Sequence, residues 1–191
     1  MSLERGVADA ANVVAAIGEP VEALIGHSWG GAVAIVAGAR LDVRRVAAID
    51  PMIHQVSDRW YGEYLDELNE VFALQGDARD ARTREDYAAW SPLDLEGKVH
   101  AVHSMTVAPI EGLWQENPPA SWDLHPLIAR YPKPLLLAMA DLDDSINDEE
   151  ALLEVVRDAS SQVRFTRIAG AGHNVHRTHF EALTAVLDSW L

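Results

Sequence analysis

The chain has 191 residues, no cysteine and a formal net charge of −15. That length suits one domain with a sizeable core and room for a small subdomain, and the absence of cysteine excludes disulfide and thiol chemistry. The acidity disfavours nucleic acid and anionic membrane surfaces, whose binding rests on Lys and Arg; it reads first as solubility and second as a bias toward neutral or cationic substrates, and the expected partner is a small-molecule substrate.

No apolar run approaches the roughly 20 residues needed to cross a bilayer. No basic segment followed by an apolar stretch marks a secretory signal, so a cytoplasmic setting is expected.

Val7, Ala10, Ala11, Val14 and Ile17 recur at helical spacing, which predicts a helix over residues 4–17 that Gly18 and Pro20 stop. Residues 21–25 form a short apolar strand, and Gly26-His27-Ser28-Trp29-Gly30-Gly31 is a sharp turn. Residues 32–40, rich in small side chains, predict a helix lying close to a sheet, and residues 43–49 a second strand ending at Asp50-Pro51.

Residues 52–131 differ in character. Tyr61, Leu65, Leu68 and Phe72 form one helical stripe, and further helices are expected over 80–90, 93–106 and 123–131. Trp60, Trp90, Trp114 and Trp122 all fall in this segment, either lining an apolar pocket or filling its own core. Strand character returns at 134–140, followed by the acidic loop Asp141-Leu142-Asp143-Asp144-Ser145 and a helix from Asp148. A fourth strand over 163–168 leads into the loop Ala169-Gly170-Ala171-Gly172-His173. Phe180, Leu183, Val186, Leu187 and Trp190 line a final helix.

Strands alternating with helices predict an α/β fold, a mostly parallel sheet with helices on both faces. Ligands in such folds bind beyond the carboxyl ends of the strands. Ser28, Asp50, Asp143 and His173 each fall just past the end of a predicted strand.

Gly26-His27-Ser28-Trp29-Gly30 is a G-x-S-x-G match between a strand and a helix, the context in which the serine hydroxyl is lifted above a sheet. The turn is expected to be too tight for a Cβ at either flanking position, Gly26 or Gly30. A serine needs a base to become a nucleophile, and His173, in a loop of small residues, is the candidate. The base needs an acid to fix its tautomer. Asp143 is the first candidate and Asp50 the second. Both keep the chain order serine, acid, histidine, and Asp141 and Asp144 rank below them.

These features together resemble the α/β-hydrolase superfamily: the nucleophile turn, the strand Pro134-Leu135-Leu136-Leu137 with its acid loop, and Gly170-Ala171-Gly172-His173-Asn174-Val175-His176 as the histidine loop. The resemblance implies that residues 1–51 and 132–191 form the hydrolase core and that residues 52–131 form a helical cap over the active site. It also implies that the Trp29 amide supplies one oxyanion donor. The superfamily places several strands ahead of the nucleophile strand, and here only one helix precedes it. A missing front section would remove the second oxyanion donor, at a cost of about 10²–10³ in rate. It would also leave strand 21–25 as an apolar sheet edge open to pairing with a second copy of the chain.

His173, His176 and His179 are spaced i, i+3 and i+6, without the H-E-x-x-H pattern of a zinc helix, and the acidic loop lacks the glycine of a calcium loop. No phosphate-binding glycine loop appears. Neither metal nor cofactor is implied.

The expected function is therefore a cofactor-independent serine hydrolase acting through an acyl-enzyme. Carboxylic esters are the first substrate class, with amides, lactones and carbon–carbon bonds beside a ketone as alternatives. The contrasting expectation is a hydrolase-like module that binds or assembles without turnover.

Overall fold

The computed structural model describes residues 2–54, 58–117, 123–141 and 144–191, with the side chains of 58–60 excepted. Asp143, Leu142 and Trp122 lie outside the described residues, as does the side chain of Trp60.

Helix α1 (Leu3–Ile17) begins at Ser2, whose hydroxyl accepts from the Arg5 amide, and ends at Gly18 in the left-handed conformation (φ 68°). Strand β1 (Val21–His27) turns directly into α2 (Trp29–Arg40), and β2 (Val43–Ile49) follows. Four helices come next: α3 (Asp58–Ala73), α4 (Asp77–Asp86), α5 (Pro92–Val102) and α6 (Ala108–Glu116). The short α7 (His125–Ile128) leads back to β3 (Leu135–Met139). Helix α8 (Glu149–Asp158), β4 (Val163–Arg167), α9 (Val175–Thr178) and α10 (Phe180–Asp188) complete the order.

The four strands form one parallel sheet in the order β1-β2-β3-β4. Every residue of β3 is buried, as a strand covered on both faces must be. Its three leucines, Leu135, Leu136 and Leu137, each contribute roughly 1.5–3 kcal/mol through burial.

On one face α2 lies against β2. A Cβ at Gly38 would come within 2.2 Å of Val46 Cγ2, so the helix approaches the sheet only because glycine stands there. On the other face Ala47, Ile49, Leu136 and Ala138 pack with Ile168, Val175 and Leu183, and α10 adds Val186, Leu187 and Trp190. The expected architecture, a parallel sheet between two layers of helix, is what the chain adopts.

The molecule divides into two compact units, Met1–Gln55 with Asn117–Leu191, and Val56–Glu116. Residues 52–54 and 123–131, which the sequence had assigned to the insert, belong to the sheet unit. Ile53 and Ile128 are fully buried, and the Tyr131 hydroxyl donates to the Ile35 carbonyl at 2.7 Å. The insert leaves and re-enters at one point: His54 and Asp123 form an antiparallel bridge, and the Leu124 amide donates to the Ile53 carbonyl at 3.0 Å.

Within the helical unit the boundaries move for local reasons. Helix α4 stops at Asp86 rather than residue 90, and α5 starts at Pro92, where Ser91 accepts from the Asp94 amide and proline needs no partner for its missing N–H. Helix α6, absent from the expected elements, carries Pro109 at its second position. In the first turn of a helix proline costs nothing. Trp114 stacks flat on Tyr61 (centroids 4.1 Å apart, 3° between planes) and Trp90 tilts onto Tyr87, so both rings pack within this unit.

Candidate active site

Where β1 ends, the backbone makes an abrupt reversal. Ser28 takes φ 55° and ψ −123°, a strained conformation for a residue with a Cβ, and α2 starts at the next residue. The Ser28 carbonyl accepts from the amides of Gly31, Ala32 and Met52 (2.9, 3.1 and 3.2 Å), and the Ser28 amide donates to the Ile49 carbonyl at 3.0 Å. The turn is thus tied to β2 and to the loop after it.

The glycine requirement differs from expectation. A Cβ at Gly26 would lie 2.1 Å from the Gly30 oxygen, which forbids any side chain there. At Gly30 a Cβ would meet nothing within 4 Å. The second glycine that packing demands is Gly31, where a Cβ would come within 2.8 Å of Pro51 Cβ and 3.2 Å of the Gly26 oxygen. Crowding arises between the strand end, the Gly30 carbonyl and the loop after β2, whereas a Cβ on Gly30 would point into open space.

The structure brings Ser28, His173 and Asp50 together. His173 Nε2 lies 3.0 Å from Ser28 Oγ, and His173 Nδ1 lies 2.6 Å from Asp50 Oδ2. A carboxylate accepts only, so the imidazole proton sits on Nδ1 and Nε2 is left to accept the serine proton.

Asp50 follows β2 with φ 36° and is wholly inaccessible to solvent. An isolated buried carboxylate would be very costly, and three more donors offset that cost. Ser145 Oγ (2.7 Å) and the Ala140 amide (3.3 Å) donate to Oδ1, and the Ile146 amide (3.2 Å) donates to Oδ2.

Asn147 locks the surrounding loops: it accepts from the Ile53 amide (3.2 Å) and donates to the Pro51 carbonyl (2.9 Å). The loop after β3, expected to provide the acid, here supplies donors to Asp50 through Ser145 and Ile146. Asp141 acts on the loop that carries His173: its Oδ2 accepts from the Gly170 amide at 2.7 Å, and its own amide donates to the Ala171 carbonyl at 2.8 Å. Asp144 is exposed.

A second histidine, unremarked in the sequence, stands beside the first. His27 Nε2 donates to the His173 carbonyl at 2.8 Å. The His27 ring lies 4.7 Å from that of His173 and 4.6 Å from that of His176. Burial pushes His27 down to about 4, and burial also lowers His176, with the neighbouring His173 adding to the effect. Two neutral imidazoles therefore flank His173, so a proton arriving there meets no like charge at neutral pH.

Trp29 N is the first amide of the twelve-residue α2, whose N-terminus carries positive potential toward the space above Ser28. His176 is turned onto His27 and His179 Nδ1 pairs with Thr178 Oγ1. Among the described residues no group of three or more His, Asp or Glu side chains is placed to hold a metal ion.

The model of the alpha/beta hydrolase family matches residues 2–186. The chain belongs to the alpha/beta hydrolase family. No curated protein sequence matches the chain.

Among solved structures, this chain is similar to E-2-(acetamidomethylene)succinate hydrolase (TM-score 0.72, 17% identity, covering 96% of this chain and 71% of that one). A hydrolase from Pseudomonas aeruginosa PA01 gives 0.70 at 16% identity, covering 99% of this chain and 71% of that one. The thioesterase domain from the curacin biosynthetic pathway gives 0.68 at 15%, with 98% and 73% covered. At such identities the likeness is one of fold.

Proposed function

We propose that this member of the family is a serine hydrolase of carboxylic esters, with Ser28 as nucleophile, His173 as general base and Asp50 as the orienting acid. The single observation that carries the reading is the unbroken chain of contacts from Ser28 Oγ through the His173 ring to the buried Asp50 carboxylate, 3.0 and 2.6 Å. The proposal takes Asp50 rather than Asp143, because Asp50 already occupies the Nδ1 side of the ring.

In the acylation step Ser28 Oγ attacks the ester carbonyl carbon while its proton passes to His173 Nε2. The carbonyl π pair moves onto oxygen, and the Trp29 amide stabilises the developing charge. The oxyanion collapses, the C–O bond to the alcohol breaks, and the leaving oxygen takes the proton from His173. Water then repeats the sequence on the acyl-enzyme, with His173 again as base, releasing the carboxylic acid and free Ser28. Hydrolysis of thioesters or amides would use the same steps with a different leaving atom.

Labelling with a fluorophosphonate probe tests the proposal. Wild type is expected to label at Ser28 and Ser28→Ala is not. An unlabelled wild type, folded by circular dichroism, ends the enzyme reading and leaves a binding module.

A further inference from the structure

Within the helical unit, α3, α4 and α5 surround a cavity of about 290 Å³. Leu68, Val71, Phe72, Val102 and Met105 give it an apolar wall. Two phenols, Tyr64 and Tyr87, also face it, and burial pushes both above the ordinary tyrosine value, so they remain protonated donors.

Two cations line this space, Arg82 and Lys98, and Arg82 is already paired with Asp86. Lys98 is half-buried, with Nζ 4.6 Å from the centroid of the Tyr87 ring. The described arginines of the unit are all partnered. Arg79 donates to the carbonyls of Phe72, Leu74 and Val102, Arg82 pairs with Asp86 at 2.7 Å, and Arg84 pairs with Glu96. Lys98, by contrast, has no carboxylate or carbonyl partner among the described residues. Burial accordingly holds its ammonium below the usual lysine range.

A half-buried ammonium whose one described contact is a ring face has donors free for an anion. The acids at the cavity, Glu67 and Asp86, are both exposed, and Asp86 is already engaged by Arg82. They would repel a dianion such as phosphate, while a monoanion whose body is apolar meets one positive charge and a hydrocarbon wall. The volume lies at the small end of ligand cavities, which suits a medium-chain or arylalkyl acid rather than a long lipid.

We infer that the helical unit binds a small apolar monocarboxylate in the cavity between α3, α4 and α5, with its carboxylate on Lys98 and its hydrocarbon against Leu68, Phe72 and Met105. Its lining includes neither Ser28 nor His173, and the inference stands whether or not those residues catalyse anything. Should the protein be an ester hydrolase, the ligand belongs to the chemical class of its acid product.

Calorimetric titration of the full chain with decanoate and with 1-decanol, its uncharged counterpart, tests this. Saturable binding of decanoate at one site is expected, tighter than that of decanol. Lys98→Met should weaken decanoate by about ten-fold or more, the worth of one charge-assisted hydrogen bond, and leave decanol unchanged. Lys98→Arg keeps the charge and should retain decanoate, which guards against a Met variant that merely misfolds. Absence of saturable decanoate binding overturns the proposal. So does equal affinity for decanol, or a folded Lys98→Met that binds decanoate like wild type, as a ligand seated at Ser28 would.

Discussion

The ring of His27 donates a hydrogen bond to the main-chain oxygen of His173, 2.8 Å away, so the residue before the candidate nucleophile holds the residue proposed to deprotonate it. Replacing His27 by leucine removes the donor and frees the loop that presents His173. A fall in kcat of about three- to ten-fold is expected, the worth of one neutral hydrogen bond, with KM little changed. His27→Gln can still reach the carbonyl and should recover most of the rate. Steady-state kinetics on any ester that wild type turns over will check both.

The same histidine makes stability pH-dependent. Its value falls from 6.5 to about 4 on folding, because burial disfavours the charged form more than the other contacts favour it. The folded state thus binds the proton less well than the unfolded state. The His27 contribution is intact above pH 6.5 and is lost as pH falls from there toward about 4. Urea denaturation at several pH values should show wild type losing more stability over that window than His27→Gln.

Asp50 and Asp143 can be told apart by charge removal. Asp50→Asn should lower kcat by about 10⁴, the effect of the wrong imidazole tautomer in a serine protease, while Asp143→Asn should leave kcat near wild type. Ser145→Ala deletes one donor to the Asp50 carboxylate and should cost about three- to ten-fold. The reverse order of the two asparagine variants would transfer the role to Asp143.

The glycines of the nucleophile turn should respond unequally. Gly26→Ala places a methyl 2.1 Å from a backbone oxygen and should prevent folding or destabilise severely. Gly31→Ala pushes on Pro51 and so on the loop bearing Asp50, and should lower both stability and kcat. Gly30→Ala fills empty space inside a helix, where alanine is preferred by about 0.5–1 kcal/mol, and should be neutral or stabilising in thermal unfolding.

Strand β1 pairs with β2 on one side only among the described residues, and Ile25 on it is 44% exposed. Such an edge invites pairing with a second copy of the chain. Light scattering is expected to give a mass above that of the monomer, reduced toward it by Ile25→Lys. A monodisperse wild-type monomer would remove the idea.

Much of the fold could be read from residue order alone. Four short apolar runs, each followed by a turn and a helical pattern, leave little but a parallel sheet, and parallel strands put their loop ends at one edge. That Ser28 and His173 should meet follows from the same geometry. The acid was less legible because Asp50 and Asp143 each follow a strand, and only three-dimensional placement shows which carboxylate reaches Nδ1. His27 escaped notice because its role is a bond to a main-chain carbonyl, which leaves no trace in residue type. Gly30 was overvalued because periodicity says nothing of the direction in which a Cβ would point.

The helices from Asp58 to Glu116 are inserted through a doorway whose two jambs, His54 and Asp123, are pinned together. Ser28, Asp50 and His173 all belong to the unit that holds the sheet, in segments before and after the insertion. The insert can therefore be lengthened or rebuilt without cutting into any stretch of chain that carries those three side chains.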